Sequence, residues 1–303
     1  MKYEIWLNQW LIYYVKPYVK ERTYQKYSRQ VALHIIPKIG GYEMEQLSAV
    51  ILQEFVVSLS EKGLAPNSVN GVITVIKSSL EYAVKIDLLA KHYGDCIRRP
   101  KACEKVIECF SKEEQRQIEG CVLGNKSSRF FGVVLCLYTG LRIGELLALK
   151  WTDIDLQKGF LKVEKSCHDT WTEIGYCKII DTPKTESSKR IIPLPEKLIA
   201  HLKDLKMGAS GEYVIEGKLI YGVSVRSYQK SFEQLLKRLN ISHRGFHSLR
   251  HTFATRALEC GMDVKTLAEI LGHKNPTVTL KRYAHSMIEH KVEMMNRLGE
   301  FLQ

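Results

Sequence analysis

Three short stretches hold the side chains best suited to chemistry. The first is Thr139-Gly-Leu-Arg-Ile-Gly-Glu-Leu-Leu-Ala-Leu, with Arg142 just after a Thr-Gly break. The second is His247-Ser-Leu-Arg-His, in which His247 and Arg250 are three apart and share one helix face. The third is Leu271-Gly-His-Lys-Asn-Pro, followed by Tyr283 ten residues after His273. Each sets cationic or imidazole groups beside an apolar helix face. Two arginines grip the non-bridging oxygens of a phosphate with paired donors, which lysines do less well. A tyrosine, with a reference pKa of ~10, becomes a nucleophile when nearby cations and a base help it ionise.

Taken singly, each stretch has an ordinary reading. An arginine at a helix start is commonly a surface charge, and His-x-x-Arg a solvated pair. Tyr283 suits a half-buried core position with a wet hydroxyl, and Glu145 a surface partner for Arg142. The ordered combination is different. It resembles the tyrosine recombinase (phage integrase) family, which has an arginine after Thr-Gly-Leu, then His-x-x-Arg-His, then Leu-Gly-His and a downstream tyrosine. The family also places a lysine on a β-hairpin between the first two boxes, and Lys184 in Thr182-Pro-Lys-Thr-Glu-Ser-Ser-Lys-Arg fits that place. The likeness spans about residues 105–290, and residues 1–95 by architecture alone.

The resemblance implies phosphoryl transfer on DNA. Arg142 and Arg250 clamp the phosphate, and preorganised cations of this kind commonly supply the largest catalytic term. Tyr283 is the nucleophile, His247 the base, Lys184 the acid that protonates the departing 5′ oxygen, and His273 a hydrogen-bond donor to a phosphate oxygen. Glu145 orients Arg142 or its neighbours, and His251 is structural. Attack leaves a 3′-phosphotyrosyl link and a free 5′ hydroxyl. The link retains the bond energy, so no ATP, cofactor or metal is expected.

Alternatives stand beside this reading. His247 and His251 are four apart, a metal-pair spacing, but no third ligand is evident. Lys189 and Arg190 rival Lys184 as the acid, although both lie at a strand start. A type IB topoisomerase-like relaxing enzyme shares the catalytic set. A non-catalytic DNA-binding protein with a recombinase-like fold is a further reading. A basic RNA-binding or membrane-surface protein explains the charge but none of the boxes.

These side chains need elements to hold them. Ile5, Leu7, Trp10, Leu11 and Tyr14 recur at helical spacing up to Pro17. A second helical run, Arg22 to Ile36, is expected to end before Pro37. Ser48 can cap a third helix and Pro66 open a fourth, whose stripe is Val69, Val72, Ile73, Ile76, Leu80 and Val84. The basic stretch around Arg98, Arg99, Pro100 and Lys101 reads as a linker. Beyond it, Ser111 precedes an acidic helix start. Phe130–Leu137 reads as a buried helix broken at Thr139-Gly140, with the helical period resuming at Ile143. Phe160-Leu-Lys-Val, Lys178-Ile-Ile and Arg190-Ile-Ile read as strands, with Thr185-Glu-Ser-Ser turning between the last two. Helices return from about Ser224, and an amphipathic one is expected over about 286–303.

The fold class expected is therefore mainly α with a small antiparallel β-sheet. A four-helix, SAM-like core-binding domain over 1–95 is followed by a linker over 96–108 and an α+β catalytic domain over 109–303. The chain opens directly on the bundle, so the arm-binding β domain found in front of many phage integrases is expected to be absent.

The 303 residues carry 45 Lys+Arg against 33 Asp+Glu, a net charge of +12, which suits a polyanionic partner. The resemblance implies double-stranded DNA core sites, gripped by a C-shaped clamp whose front part offers Lys20, Arg22, Tyr24, Lys26, Tyr27, Arg29, Lys77 and Lys85. The resemblance adds self-association to a tetramer on DNA and accessory DNA-bending or excision proteins. The longest apolar stretches are too short to cross a bilayer. No signal peptide is evident at Met1, and the eight cysteines match no zinc template. A cytoplasmic protein with reduced thiols is expected.

Overall fold

The computed structural model describes residues 1–101, 108–124, 128–172, 175–181, 189–217, 223–273, 275, 277 and 288–302. The chain divides into two compact units, Met1–Lys105 and Val106–Gln303.

The first unit is helical. Helix α1 (Tyr3–Gln9) continues into a wide π-helical turn, Trp10–Val15. Helix α2 (Glu21–Gln30) likewise passes through a π turn, Val31–Ile35, into α3 (Ile36–Ile39). The second run thus does not stop before Pro37. That proline sits in the first turn of α3, where a missing N–H is tolerated, directly after the widened turn. The path ends at Gly40, where a Cβ would lie 2.7 Å from the Ile36 carbonyl oxygen. The Gly40 carbonyl accepts from the Glu4 amide at 2.9 Å, tying this end to α1. Ser48 caps α4 (Ala49–Glu61) by accepting from the Ile51 amide, and Pro66 opens α5 (Pro66–Lys85).

Trp6, Leu7, Ile35, Leu52, Leu59, Ile73 and Ile76 form the buried centre of this unit. Each such side chain contributes about 1.5–3 kcal/mol through burial. One polar residue, Ser79, enters that core and is fully satisfied. Its hydroxyl donates to the Ile76 carbonyl, so the Tyr3 hydroxyl must donate to it (2.7 Å), while the Trp6 indole N–H donates to the Ser79 carbonyl (3.0 Å). The stretch read as the start of a linker lies against this unit. Ile97 is buried in its core, the Arg98 amide donates to the Gln53 side chain, and the Asn70 side chain donates to the Pro100 carbonyl.

The second unit begins with α6 (Lys112–Leu123), closed by a capping box between Ser111 and Glu114. Then come, among the described residues, α7 (Ser128–Thr139), α8 (Ile143–Ala148) and the strands β1 (Ile154–Asp155), β2 (Phe160–Val163), β3 (Ser166–Thr172), β4 (Gly175–Asp181) and β5 (Arg190–Pro193). Helices α9 (Glu196–Met207), α10 (Val225–Arg238), α11 (His247–Glu259), α12 (Val264–Leu271) and α13 (Ile288–Phe301) follow among the described residues.

Strand pairing departs from the sequence reading. The Lys178 and Arg190 strands are not partners of one another. Instead β2 lies between β1 and β5 in one antiparallel sheet, while β3 and β4 form a separate two-stranded ribbon. The reason is burial. Leu161 pairs with Ile192 across β2 and β5, and both are buried. The polar strand Ser166–Thr172, which carries no aliphatic alternation, takes β4. The ribbon is anchored along β3. The Asp169 carboxylate accepts from the Val225 and Arg226 amides at the start of α10, at 3.1 and 2.9 Å. Gly144 on α8 lies so close that a Cβ there would sit 2.5 Å from the Cys167 carbonyl oxygen.

Candidate active site

The Thr139-Gly140 break makes the first part of the site. Gly140 has φ +64, and a Cβ there would press on Phe253 and Leu271 at 2.6 and 2.8 Å. Its left-handed backbone ends α7 and turns the chain so that Arg142 becomes the N-cap of α8. The Arg142 amide donates to Glu145 Oε2 at 3.0 Å, and its Nη1 donates to Glu145 Oε1 at 2.7 Å. Arg142 keeps 37% of its side chain exposed, while Glu145 keeps 5%.

Glu145 has a second cation. Arg190, at the start of β5, donates from Nη1 to Oε1 (3.1 Å) and from Nη2 to Oε2 (2.8 Å), with a side chain 6% exposed. Its Nε donates to the Ile270 carbonyl at 2.5 Å. Burial alone would raise the Glu145 carboxyl; the Arg190 bonds and charge, then Arg142, outweigh it and hold the pKa at about 2. Helix α8 and strand β5 thus meet on one carboxylate, and Arg190 ties the end of α12 to them.

Arg250 is the buried centre of the second part, with 2% of its surface exposed. Nη1 donates to the Gly140 carbonyl at 2.8 Å and Nη2 to the Leu271 carbonyl at 2.6 Å. Helix α12 ends in a left-handed glycine, Gly272, which turns the chain and sets His273 beside Arg250. Arg250 Nη2 and His273 Nε2 lie 2.9 Å apart. A guanidinium only donates, so Nε2 accepts here and the imidazole proton sits on Nδ1. His247 opens α11 at the surface, one turn before Arg250, and its ring meets that of His251 edge-on at 4.5 Å. His251 itself is buried.

The structure therefore joins Arg142, Glu145, Arg250 and His273 through the Gly140, Ile270 and Leu271 carbonyls, with His247 on the same helix as Arg250. Lys184 and Tyr283 lie outside the described residues. Sequence reasoning weighed Arg190 as a proton donor and missed its place in the network. A guanidinium stays protonated, which already argued against an acid role; no local pattern marks a partner 45 residues away. Among the described residues, the one grouping of three potential metal ligands is elsewhere, at Glu81, His92 and Asp95. There the Lys77 ammonium bonds both carboxylates, and the Gly94 amide donates to His92 Nδ1.

Residues 121–290 match the phage integrase family, and residues 2–60 match the phage integrase N-terminal SAM-like domain. The chain belongs to the phage integrase family. It is a tyrosine recombinase, which cleaves and rejoins DNA through a phosphotyrosine intermediate. The recombinase is 30% identical to a XerC-like tyrosine recombinase of Caldanaerobacter subterraneus, over 97% of this chain and 82% of that one. It is 25% identical to the transposase of transposon Tn916 from Enterococcus faecalis, over 94% and 75%. Its fold matches the Tn1549 transposon integrase in complex with a circular intermediate DNA, with TM-score 0.84, 24% identity and coverage of 98% and 99%. These relatives do not favour a DNA-relaxing enzyme.

Proposed function

We propose that this recombinase serves the integration or excision of a phage or mobile element at double-stranded core sites, with Tyr283 as nucleophile. The observation that carries the reading is the pairing of Arg142 and Arg250 across the Gly140 turn, one half exposed and one fixed by helix-end carbonyls. Three guanidinium groups against the single Glu145 carboxylate leave a surplus of positive charge, as a phosphodiester and its more negative transition state require. His247 serves as base, and Lys184 protonates the leaving 5′ oxygen. His273 bonds a phosphate oxygen, Glu145 orients Arg142, and His251 packs behind. No metal or other cofactor enters this scheme.

Residues 1–95 hold the core site and 109–303 cut and rejoin, joined through 96–108, whose first residues pack against the helical unit. The mobile-element reading draws on the transposase and integrase names of the relatives. Four protomers act together, because exchanging strands between two duplexes takes four cleavages. The apolar row on α13 supports such contacts: Val292, Met295 and Leu298 are 56%, 65% and 46% exposed. Accessory DNA-bending or excision proteins complete the assembly in the cytoplasm. Among the described residues no helix is long and apolar enough to cross a membrane.

The test uses a nicked duplex that loses its 5′ fragment on cleavage, built from the DNA flanking the gene. Wild-type protein should form a denaturant-resistant adduct and Tyr283→Phe none, with DNA affinity little changed because the phenol adds no charge. An adduct from Tyr283→Phe removes Tyr283 from the nucleophile's role.

A further inference from the structure

Helix α11 carries Arg250 on one side, and its other side is held by the first residues of the second unit. The Phe110 amide donates to Thr252 Oγ1 at 2.9 Å, and Arg256 Nη2 donates to the Phe110 carbonyl at 2.8 Å. The Cys109 thiol and Thr255 hydroxyl lie 3.3 Å apart. At 100° per residue, Thr252, Thr255 and Arg256 stand roughly 140–240° around the helix from Arg250. These bonds therefore grip the back of the helix that presents the arginine.

The grip extends to the start of the helix. Phe110 is wholly buried and meets Phe232 edge-on, and Phe232 meets Phe246, the residue just before α11. The Arg244 guanidinium lies 4.9 Å over the Phe110 ring while donating to Glu114 at 2.8 Å. Thr252 links the two ends. Its hydroxyl accepts from Phe110 and donates to the Ser248 carbonyl at 2.9 Å, next to His247. Both Thr252 and Phe110 are fully buried, so no water can replace this relay.

We propose that Phe110 and Thr252 are positioning residues: the segment Cys109–Ser111 is a strap that sets the height of α11, and with it the reach of Arg250 toward the phosphate. The proposal rests on Arg250 serving as a phosphate clamp. Displacements well under 1 Å at a clamping group are enough to cost rate.

The experiment compares Thr252→Val and Thr252→Ser in the full chain, at saturating DNA, on two substrates. One has the ordinary scissile phosphodiester; the other has a methylphosphonate there, which is neutral and needs no charge clamp. Thr252→Val should slow cleavage of the diester by on the order of tenfold and that of the methylphosphonate far less, with DNA affinity kept. Thr252→Ser should restore the wild-type rate. The ratio of the two rates does not depend on how much protein is folded, so simple destabilisation cannot mimic the result. Equal losses on both substrates, or no loss on the diester, overturn the strap. Tyr283→Phe in the same assay reads the nucleophile assignment separately.

Discussion

Arg190 closes a two-bond fork on Glu145, Nη1 to Oε1 and Nη2 to Oε2, from a strand that begins 45 residues farther along the chain. The same carboxylate also takes the Arg142 amide and guanidinium, so it fixes the exposed arginine by way of the buried one. Each oxygen accepts two donors, which leaves Glu145 saturated and Arg142 confined.

This carboxylate should leave a mark on acid stability. Its folded pKa of about 2 lies below the ordinary 4.5, so the contribution is present above pH 4.5 and fades as pH falls toward 2. The shift corresponds to about 3 kcal/mol. Urea unfolding from pH 6 down to pH 2 should show a fall of that size in wild type and a much smaller one in Glu145→Gln. At neutral pH the Glu145→Gln protein should itself be less stable by ~3–5 kcal/mol, since it leaves buried Arg190 short of charge. Parallel pH profiles for the two proteins would contradict the assignment.

Arg190→Lys should not be conservative. A single ammonium cannot reach both Glu145 oxygens and the Ile270 carbonyl together. A stability loss of ~2–4 kcal/mol is expected, along with slower cleavage at saturating DNA because Arg142 loses its fixed partner. Thermal unfolding and single-turnover cleavage check the two effects. Wild-type values in both would leave Arg190 a bystander.

The burial of Arg250 was not legible, since His-x-x-Arg alone reads as a solvated pair, whereas the Gly140 turn has a local signature, the Thr-Gly break. The stripes of α4 and α5 were legible for the same reason. Arg190's role was not, since its partners lie on α8 and at the end of α12. Strand β3 was missed because Ser166-Cys-His-Asp-Thr-Trp-Thr has no aliphatic alternation; its pairing with β4 is decided by the buried Leu161–Ile192 pair that claims β5 for β2. Helix α9 went unassigned as well, although Leu198, Ile199, Leu202 and Leu205 recur at helical spacing and pack on the core. Pro37 misled through a sound rule, because a π turn upstream lets the helical path continue.

Lys184 is open to a chemical test of its role. Lys184→Ala should cleave ordinary DNA slowly, by a factor of about 10²–10⁴ for a lost general acid. With sulfur at the bridging 5′ position the leaving group needs no proton, and most of the rate should return. Equal defects on both substrates would transfer the acid role to Lys189 or a water.

Truncation after His290 should separate binding from assembly. Residues Val292, Met295, Leu298, Phe301 and Leu302 stay exposed on or just beyond α13, an apolar row of the kind that marks interaction surfaces. The shortened protein should bind a single site normally, lose cooperative pairing on a two-site duplex and lose recombination. Gel-shift titrations on one-site and two-site DNA measure this directly. Unchanged cooperativity would assign α13 to its own protomer.

Arg250 draws two of its bonds from places where helices stop. The Gly140 carbonyl follows the last turn of α7, and the Leu271 carbonyl closes α12. Helix C-termini carry partial negative charge, about half an electron each, spread over carbonyls left without an amide partner. Those two bonds therefore hold the guanidinium with dipoles, which neither titrate nor cancel a full positive charge. What Arg142 owes to an ionised acid, Arg250 owes in part to the ends of two helices, and that part of its hold should be indifferent to pH.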